Sequence, residues 1–241
     1  RSSSNVQKVV WALDELGLAF KRHTVGGGFG GVREPSYLKM NPNGLVPVLQ
    51  DGDITMFESN AIVRYLAARY GEGSLRPSEP KALALAEQWM EWQQLNVVPL
   101  ISTIFWNQVR SPPAQRNDKA IAESNARLPG LLAIADQALK SSQWFAGDSF
   151  TFGDIVLGVL YWRYSCLDCP KPDTPNIKRW FAALKERPAY QKWIMVQVGS
   201  NPAEWTANEP PDPERIARRR GLTGCRASSP IRWPAPASLP A

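Results

Sequence analysis

Apolar residues at Val6, Val9, Val10, Leu13 and Leu16 recur every three or four positions, a spacing that puts one hydrophobic stripe on a helix. Ser3, Ser4 and Asn5 precede that stripe as capping residues, and Gly17 ends it. The period then changes to two. Leu18, Phe20, Arg22 and Thr24 alternate with Ala19, Lys21, His23 and Val25, which predicts a strand leading into a glycine loop at 26–31. A short helical turn over 36–40 precedes the apolar run 45–49, and Asp51-Gly52 signals a hairpin turn into a returning antiparallel strand at 54–57. Ile62, Tyr65, Leu66 and Arg69 predict a helix over Ser59–Tyr70, ended by Gly71 and Gly73.

After a linker at 72–79 that holds Gly73 and Pro77, the strand period disappears. Long amphipathic patterns replace it at 82–109, bent at Pro99, and at 118–140, bent near Pro129-Gly130. Thr151-Phe-Gly-Asp154 opens a third helix as a capping box, and 175–187 and 189–196 complete a bundle. The expected organisation is therefore an α/β thioredoxin-like layer over residues 1–72, an all-helical domain over 80–200, and a proline- and arginine-rich tail over 201–241 that is expected to be disordered. The α/β layer lacks its first strand. That strand is expected just before Arg1, joined to the first helix in a right-handed crossover, and the expected N-terminal truncation would leave a gap in the sheet centre.

With 241 residues and a formal charge of +6, the chain is long enough for a large core and basic enough to raise nucleic-acid binding. The basic residues are dispersed among acidic ones except at 215–220, so that reading is set aside. No apolar run reaches the roughly eighteen residues of a membrane span. Three cysteines argue against a secreted disulfide scaffold and for a reducing compartment, so a cytoplasmic setting is expected. Gly26-x-Gly28-x-x-Gly31 matches a dinucleotide fingerprint in form only, because Pro35 and Pro42 leave no room for the crossover helix. Cys166-x-x-Cys169 ends a helix instead of opening one, and zinc would lack ligands; no metal is expected. His23, the sole histidine, sits in an alternating segment and gives no support to a Ser-His hydrolase.

The candidate chemistry lies elsewhere. Pro47 inside a strand pattern frees the backbone of Val46 for an extended guest, and the Val46–Pro47 bond is expected to be cis. Glu58-Ser59 opens a helix whose first amides can receive a carboxylate, so a small peptide could be held by its backbone and its amino-acid end. Ser3, Ser4 and Asn5 stand at another helix N-terminus, where a bound thiol would lose its proton more easily; the competing reading is plain capping, with Ser4-x-x-Gln7 as a capping box. Trp89, Trp92, Leu95 and Trp106 line either a hydrophobic pocket or the core.

Ser3-x-Asn5-x-x-Lys8-Val9, Asn41-Pro-x-Gly44-x-Val46-Pro47-x-Leu49, Glu58-Ser59-x-Ala-Ile62 and Thr151-x-x-Asp154 together resemble the cytosolic glutathione S-transferases over residues 3–197, and most of all bacterial theta-like and nu-like members. The resemblance implies a glutathione-dependent transferase with glutathione as co-substrate, a small hydrophobic or disulfide second substrate, and a homodimer. It implies catalytic roles for Ser3 and Asn5 and glutathione contacts at Leu45, Val46, Pro47, Glu58 and Ser59; Thr151 and Asp154 match a folding cap. Leu45 departs from the pattern, because many relatives carry a Lys or Arg there for the glycyl carboxylate. The alternative is a non-catalytic binding or assembly module built on the same fold.

Overall fold

The computed structural model describes residues 2–208. Helix α1 (Ser4–Glu15) is followed by an irregular segment, α2 (Pro35–Leu38), strands β1 (Val48–Asp51) and β2 (Ile54–Phe57), and α3 (Ser59–Tyr70). The two strands pair antiparallel with Val48 opposite Phe57 and Asp51 opposite Ile54. Gly52 supplies the left-handed φ of 61° that the tight turn needs. Tyr65 and Tyr70 donate to Asp51 Oδ2 at 2.8 and 2.7 Å, which ties the hairpin to α3.

Residues 18–25 are the main departure from the expected layer. They run extended, with Leu18, Phe20, Arg22 and Thr24 partly covered and Ala19, Lys21 and His23 exposed, yet they form no strand. Period-two burial survives, but a strand also needs a neighbour to complete its hydrogen-bond ladder. Among the described residues no segment supplies one, and the sheet is the two-stranded β1–β2 hairpin. A cavity of about 710 Å³ is lined by the 18–25 segment, one side of α1 and residues 46–51, among others.

The helical part comprises α4 (Pro80–Trp92), α5 (Val98–Phe105), α6 (Asp118–Ala138), α7 (Phe152–Ser165), α8 (Pro175–Lys185), α9 (Pro188–Trp193) and α10 (Pro202–Asn208). The single pattern expected over 82–109 is α4 and α5 joined by a π-helical turn, Gln93–Val97, with a second π-turn at Trp106–Arg110. Pro99 cannot donate to the helical ladder, and the extra residue of the π-turn just before it absorbs the mismatch. Pro129 lies inside α6, which continues through it.

α7 is apolar on nearly every side and forms the centre of the bundle. Its start is held by Asp154, whose fully buried carboxylate accepts from the backbone N–H groups of Thr151 (3.0 Å) and Phe145 (3.1 Å) and from the Trp180 indole (2.9 Å). Burial pushes the Asp154 carboxyl up to about 6 even against these donors.

The tail expected to be disordered begins with order. Asn201 Oδ1 accepts from Glu204 N at 3.0 Å and Glu204 Oε2 accepts from Ser200 N at 2.8 Å, which caps α10. Trp205 then buries its indole against Phe105 at a centroid separation of 5.0 Å. The basic run at 215–220 lies outside the described residues.

Candidate functional site

Helix α1 has Ser3 as its N-cap, in extended conformation. The Ser3 hydroxyl makes no capping hydrogen bond; only its carbonyl enters the helix, accepting from Gln7 N at 2.9 Å. The Ser4–Gln7 capping box does not form, because Ser4 is already helical and the Gln7 amide donates instead to the Trp193 carbonyl at 2.9 Å. Ser3 therefore presents an uncommitted hydroxyl at the positive end of a helix dipole. Its backbone is fixed from the far end of the chain: Arg163 Nη2 donates to the Ser2 carbonyl at 2.7 Å.

One turn further along α1, Lys8 is buried and donates to Asn60 Oδ1 at 3.0 Å and Ser59 Oγ at 3.4 Å. Ser59 Oγ in turn donates to Asn5 Oδ1 at 3.2 Å. Asn5, Lys8, Ser59 and Asn60 thus bind the N-terminal turns of α1 and α3 into one polar network. Loss of hydration lowers the Lys8 ammonium to about 8, and the negative charge of neighbouring Glu58 opposes the shift. Glu58, the N-cap of α3, is exposed and held at a φ of 69°, a left-handed conformation rare outside glycine, with its carboxylate unused in capping.

Opposite lies the segment before β1. The Val46–Pro47 peptide is cis, and Val46 makes no backbone hydrogen bond to the described residues. Its position is set by Leu45, whose carbonyl accepts from the Tyr37 hydroxyl and the Asn41 amide, both at 2.8 Å. The Leu45 side chain points to solvent with 61 % of its surface exposed. Beside it sits a cation: a Cβ on Gly44, which has a φ of +63°, would meet Arg33 Nη1 at 2.8 Å, so the guanidinium packs close against this glycine. The lining of the 710 Å³ cavity includes Ser2, Ser3, Val46, Pro47, Trp106, Arg110 and Trp205.

Comparison with known proteins settles what this arrangement belongs to. The family description "Glutathione S-transferase, N-terminal domain" matches residues 1–74, and "Glutathione S-transferase, C-terminal domain" matches residues 97–188. The chain belongs to the glutathione S-transferase family. It is 39 % identical over 199 residues to glutathione S-transferase GstB of Escherichia coli, covering 82 % of this chain and 96 % of that one. It is 35 % identical to glutathione S-transferase 3 of Zea mays, covering 80 % and 89 %. Among solved structures it is similar to the theta class glutathione S-transferase of Xanthomonas axonopodis pv. citri, solved with glutathione bound, at a TM-score of 0.78, 41 % identity and coverage of 82 % and 95 %. The chain is thus a glutathione-dependent transferase with a thioredoxin-like N-terminal domain and an all-helical C-terminal domain.

Within this glutathione S-transferase, the residues singled out from the sequence form two groups. Ser3, Val46 and Pro47 line the large cavity, while Asn5 and Ser59 meet each other at the junction of α1 and α3. Leu45 contributes its carbonyl as an anchor and turns its side chain away. Of the four candidate pocket residues, Trp106 alone lines this cavity; Trp89 is core against Phe145, Trp92 borders a small apolar void, and Leu95 is exposed. The sequence reading assigned no role to Lys8, Arg33 or Arg163. A lysine next to an apolar stripe signals nothing until its burial is known, and Arg33 gives no signal either, because Lys39 lies nearer to Leu45 along the chain. Among the described residues no cluster of three or more His, Cys, Asp or Glu side chains could hold a metal, and no helix is long and apolar enough to cross a membrane.

Proposed function

We propose that residues 1–72 bind glutathione in an extended conformation and that residues 80–200 hold the second substrate. The Val46 N–H and C=O pair with the cysteinyl backbone, next to Pro47. Glu58 and Ser59, with the first amides of α3, hold the γ-glutamyl end, and Lys8 and Asn5 keep Ser59 in place. Arg33, lying against Gly44, supplies the cation for the glycyl carboxylate that Leu45 does not carry. With that charge present, Leu45 is no longer a reason to favour a non-catalytic module.

The glutathione sulfur then lies at the N-terminus of α1, where the Ser3 hydroxyl donates to it and the helix dipole favours the thiolate. That thiolate attacks an electrophilic carbon, whose leaving group departs with its electron pair, or one sulfur of a disulfide, whose other sulfur leaves as thiolate. Proximity and anion stabilisation supply the rate. The reading includes a homodimer in the cytoplasm; the free thiols of Cys166 and Cys169 support a reducing setting.

The uncommitted Ser3 hydroxyl on a helix N-terminus, lining one cavity together with Val46, supports this reading. Ser3→Ala is expected to lower kcat/KM with a model aryl halide roughly 10- to 100-fold, the loss of one hydrogen bond to a charged group. Calorimetric glutathione affinity should stay within a few-fold, and the ultraviolet signature of bound thiolate should shift to higher pH. Unchanged turnover would remove Ser3 from the mechanism.

A further inference from the structure

Beside Ser2, two arginines and two tryptophans meet without an acidic partner. Arg163, on α7, is buried, and its guanidinium carbon stands 4.3 Å from the Phe105 ring centre and 5.2 Å from that of Trp205. Arg110, closing the π-turn after α5, lies 4.9 Å from the Trp106 ring centre and 5.2 Å from that of Trp205. One indole therefore sits against both cations. Among the described residues no carboxylate pairs with either arginine. Burial lowers the Arg163 guanidinium to about 10; neighbouring Cys166 opposes the shift and Arg110 adds a smaller repulsion.

Ring faces offset part of the cost of desolvating a guanidinium, but they occupy only its flat sides. The N–H fork at its edge is the part that matches a planar anion. Arg163 spends one donor of its fork on the Ser2 carbonyl, which carries no net charge. Arg110 makes no hydrogen bond to the described residues, although Ser2, Ser3, Trp106, Arg110 and Trp205 all line the same cavity. Trp106 leaves 54 % of its surface exposed at that wall, a large apolar face beside a positive charge.

We propose that this corner of the cavity selects the second substrate: an aromatic electrophile bearing an anionic group, carboxylate or sulfonate, with its ring on Trp106 and its anion on the Arg110 fork. Arg163 acts as a positioning residue that holds Ser2 and adds to the positive potential. The inference rests on the glutathione-transferase reading above. In the reaction, the carbon–sulfur bond forms as the carbon–halogen bond breaks, and halide leaves with the electron pair. The thiol proton has already passed to solvent, and the anionic group of the acceptor is unchanged.

The test compares two nearly isosteric acceptors, 4-chloro-3-nitrobenzoate and 4-chloro-3-nitrobenzamide, in the wild-type chain and in Arg110→Met. Because the carboxamide activates the ring more than the carboxylate does, the quantity read is the change in the benzoate-to-benzamide ratio of kcat/KM, which Arg110→Met is expected to lower by roughly tenfold or more, as loss of one charge-assisted bidentate contact would give. The same ratio is read without turnover from calorimetric affinities of the two glutathione conjugates, whose peptide halves are identical and cancel. Equal ratios in wild type and variant, or a tighter wild-type affinity for the benzamide conjugate than for the benzoate conjugate, overturn the proposal. Glutathione binding by the free protein separates the two levels: a chain that binds glutathione without preferring the anion loses only this inference, whereas a chain that binds neither glutathione nor either conjugate loses the parent reading as well.

Discussion

Burying Lys8 has a consequence for stability that can be measured directly. Its ammonium, ordinarily titrating near 10.5, is lowered to about 8 by loss of hydration, against the opposing charge of Glu58. The groups facing it are Ser59, Asn60 and Glu58, the last the only acid that acts on it. A folded-state value below the unfolded one means that between about pH 8 and pH 10.5 the unfolded chain holds a proton the folded chain has released. Stability must therefore rise with pH across that window and be flat with respect to this group below it. At about 1.36 kcal/mol per unit of pKa, the full gain is about 3 kcal/mol. Other lysines, tyrosines and cysteines also titrate there, so the quantity to read is the difference between wild type and Lys8→Met. Urea unfolding at a series of pH values should show the two curves running parallel up to about pH 8. Wild type should then gain about 3 kcal/mol on the variant by about pH 10.5. A difference that stays constant through the window would refute the argument that Lys8 is a desolvated cation.

Two further substitutions test the packing around the site. Asp154→Ala leaves the N–H groups of Thr151, Phe145 and Trp180 buried without an acceptor; thermal and urea unfolding should report a loss of about 3 kcal/mol or more. Because the Asp154 carboxyl is raised to about 6, its own contribution to stability is full below about pH 4 and lost as the pH rises through 6. Wild type measured against Asp154→Asn should therefore fall by about 3 kcal/mol across that interval. Gly158→Ala would drive a methyl to 2.8 Å from Leu184 and 3.0 Å from Trp11, and is expected to cost about 1–3 kcal/mol with the Tm lowered accordingly.

The hairpin and α3 were legible because their signals are local: Asp51-Gly52 makes the turn, and Gly71 stops a helix that starts at Ser59. The residues 18–25 show the limit of such signals. Alternation records which side of a segment is covered, and the coverage is real, but pairing depends on a neighbour that alternation does not name. Helix α10 was hidden among prolines although Asn201-x-x-Glu204 is a capping box in plain sight; the period of a single turn is too short to register. At the candidate site, Ser3, Val46 and Ser59 were singled out through helix starts and a strand proline, all properties of adjacent residues. Lys8 and Arg163 were not, because their roles arise from burial against elements far along the chain. Asn5 was expected beside the sulfur with Ser3, and its only described side-chain partner is Ser59.

The N-terminal helix is clasped by the last helices of the bundle. Arg187 donates from Nε to Glu15 Oε1 at 2.9 Å, Lys192 pairs with Asp14 at 2.8 Å, Gln7 reaches the Trp193 carbonyl, and Arg163 holds Ser2. Seen from the ribosome, residues 2–15 are made well before the residues that hold them. At about 5–20 residues per second, Ser3 is synthesised many seconds before the chain can fix it in place. A nascent or prematurely terminated chain that ends before residue 163 therefore lacks every one of these anchors. On the proposed reading, the Ser3 hydroxyl would be set in place only once the bundle has closed over α1, so folding of the bundle and onset of chemistry become one event.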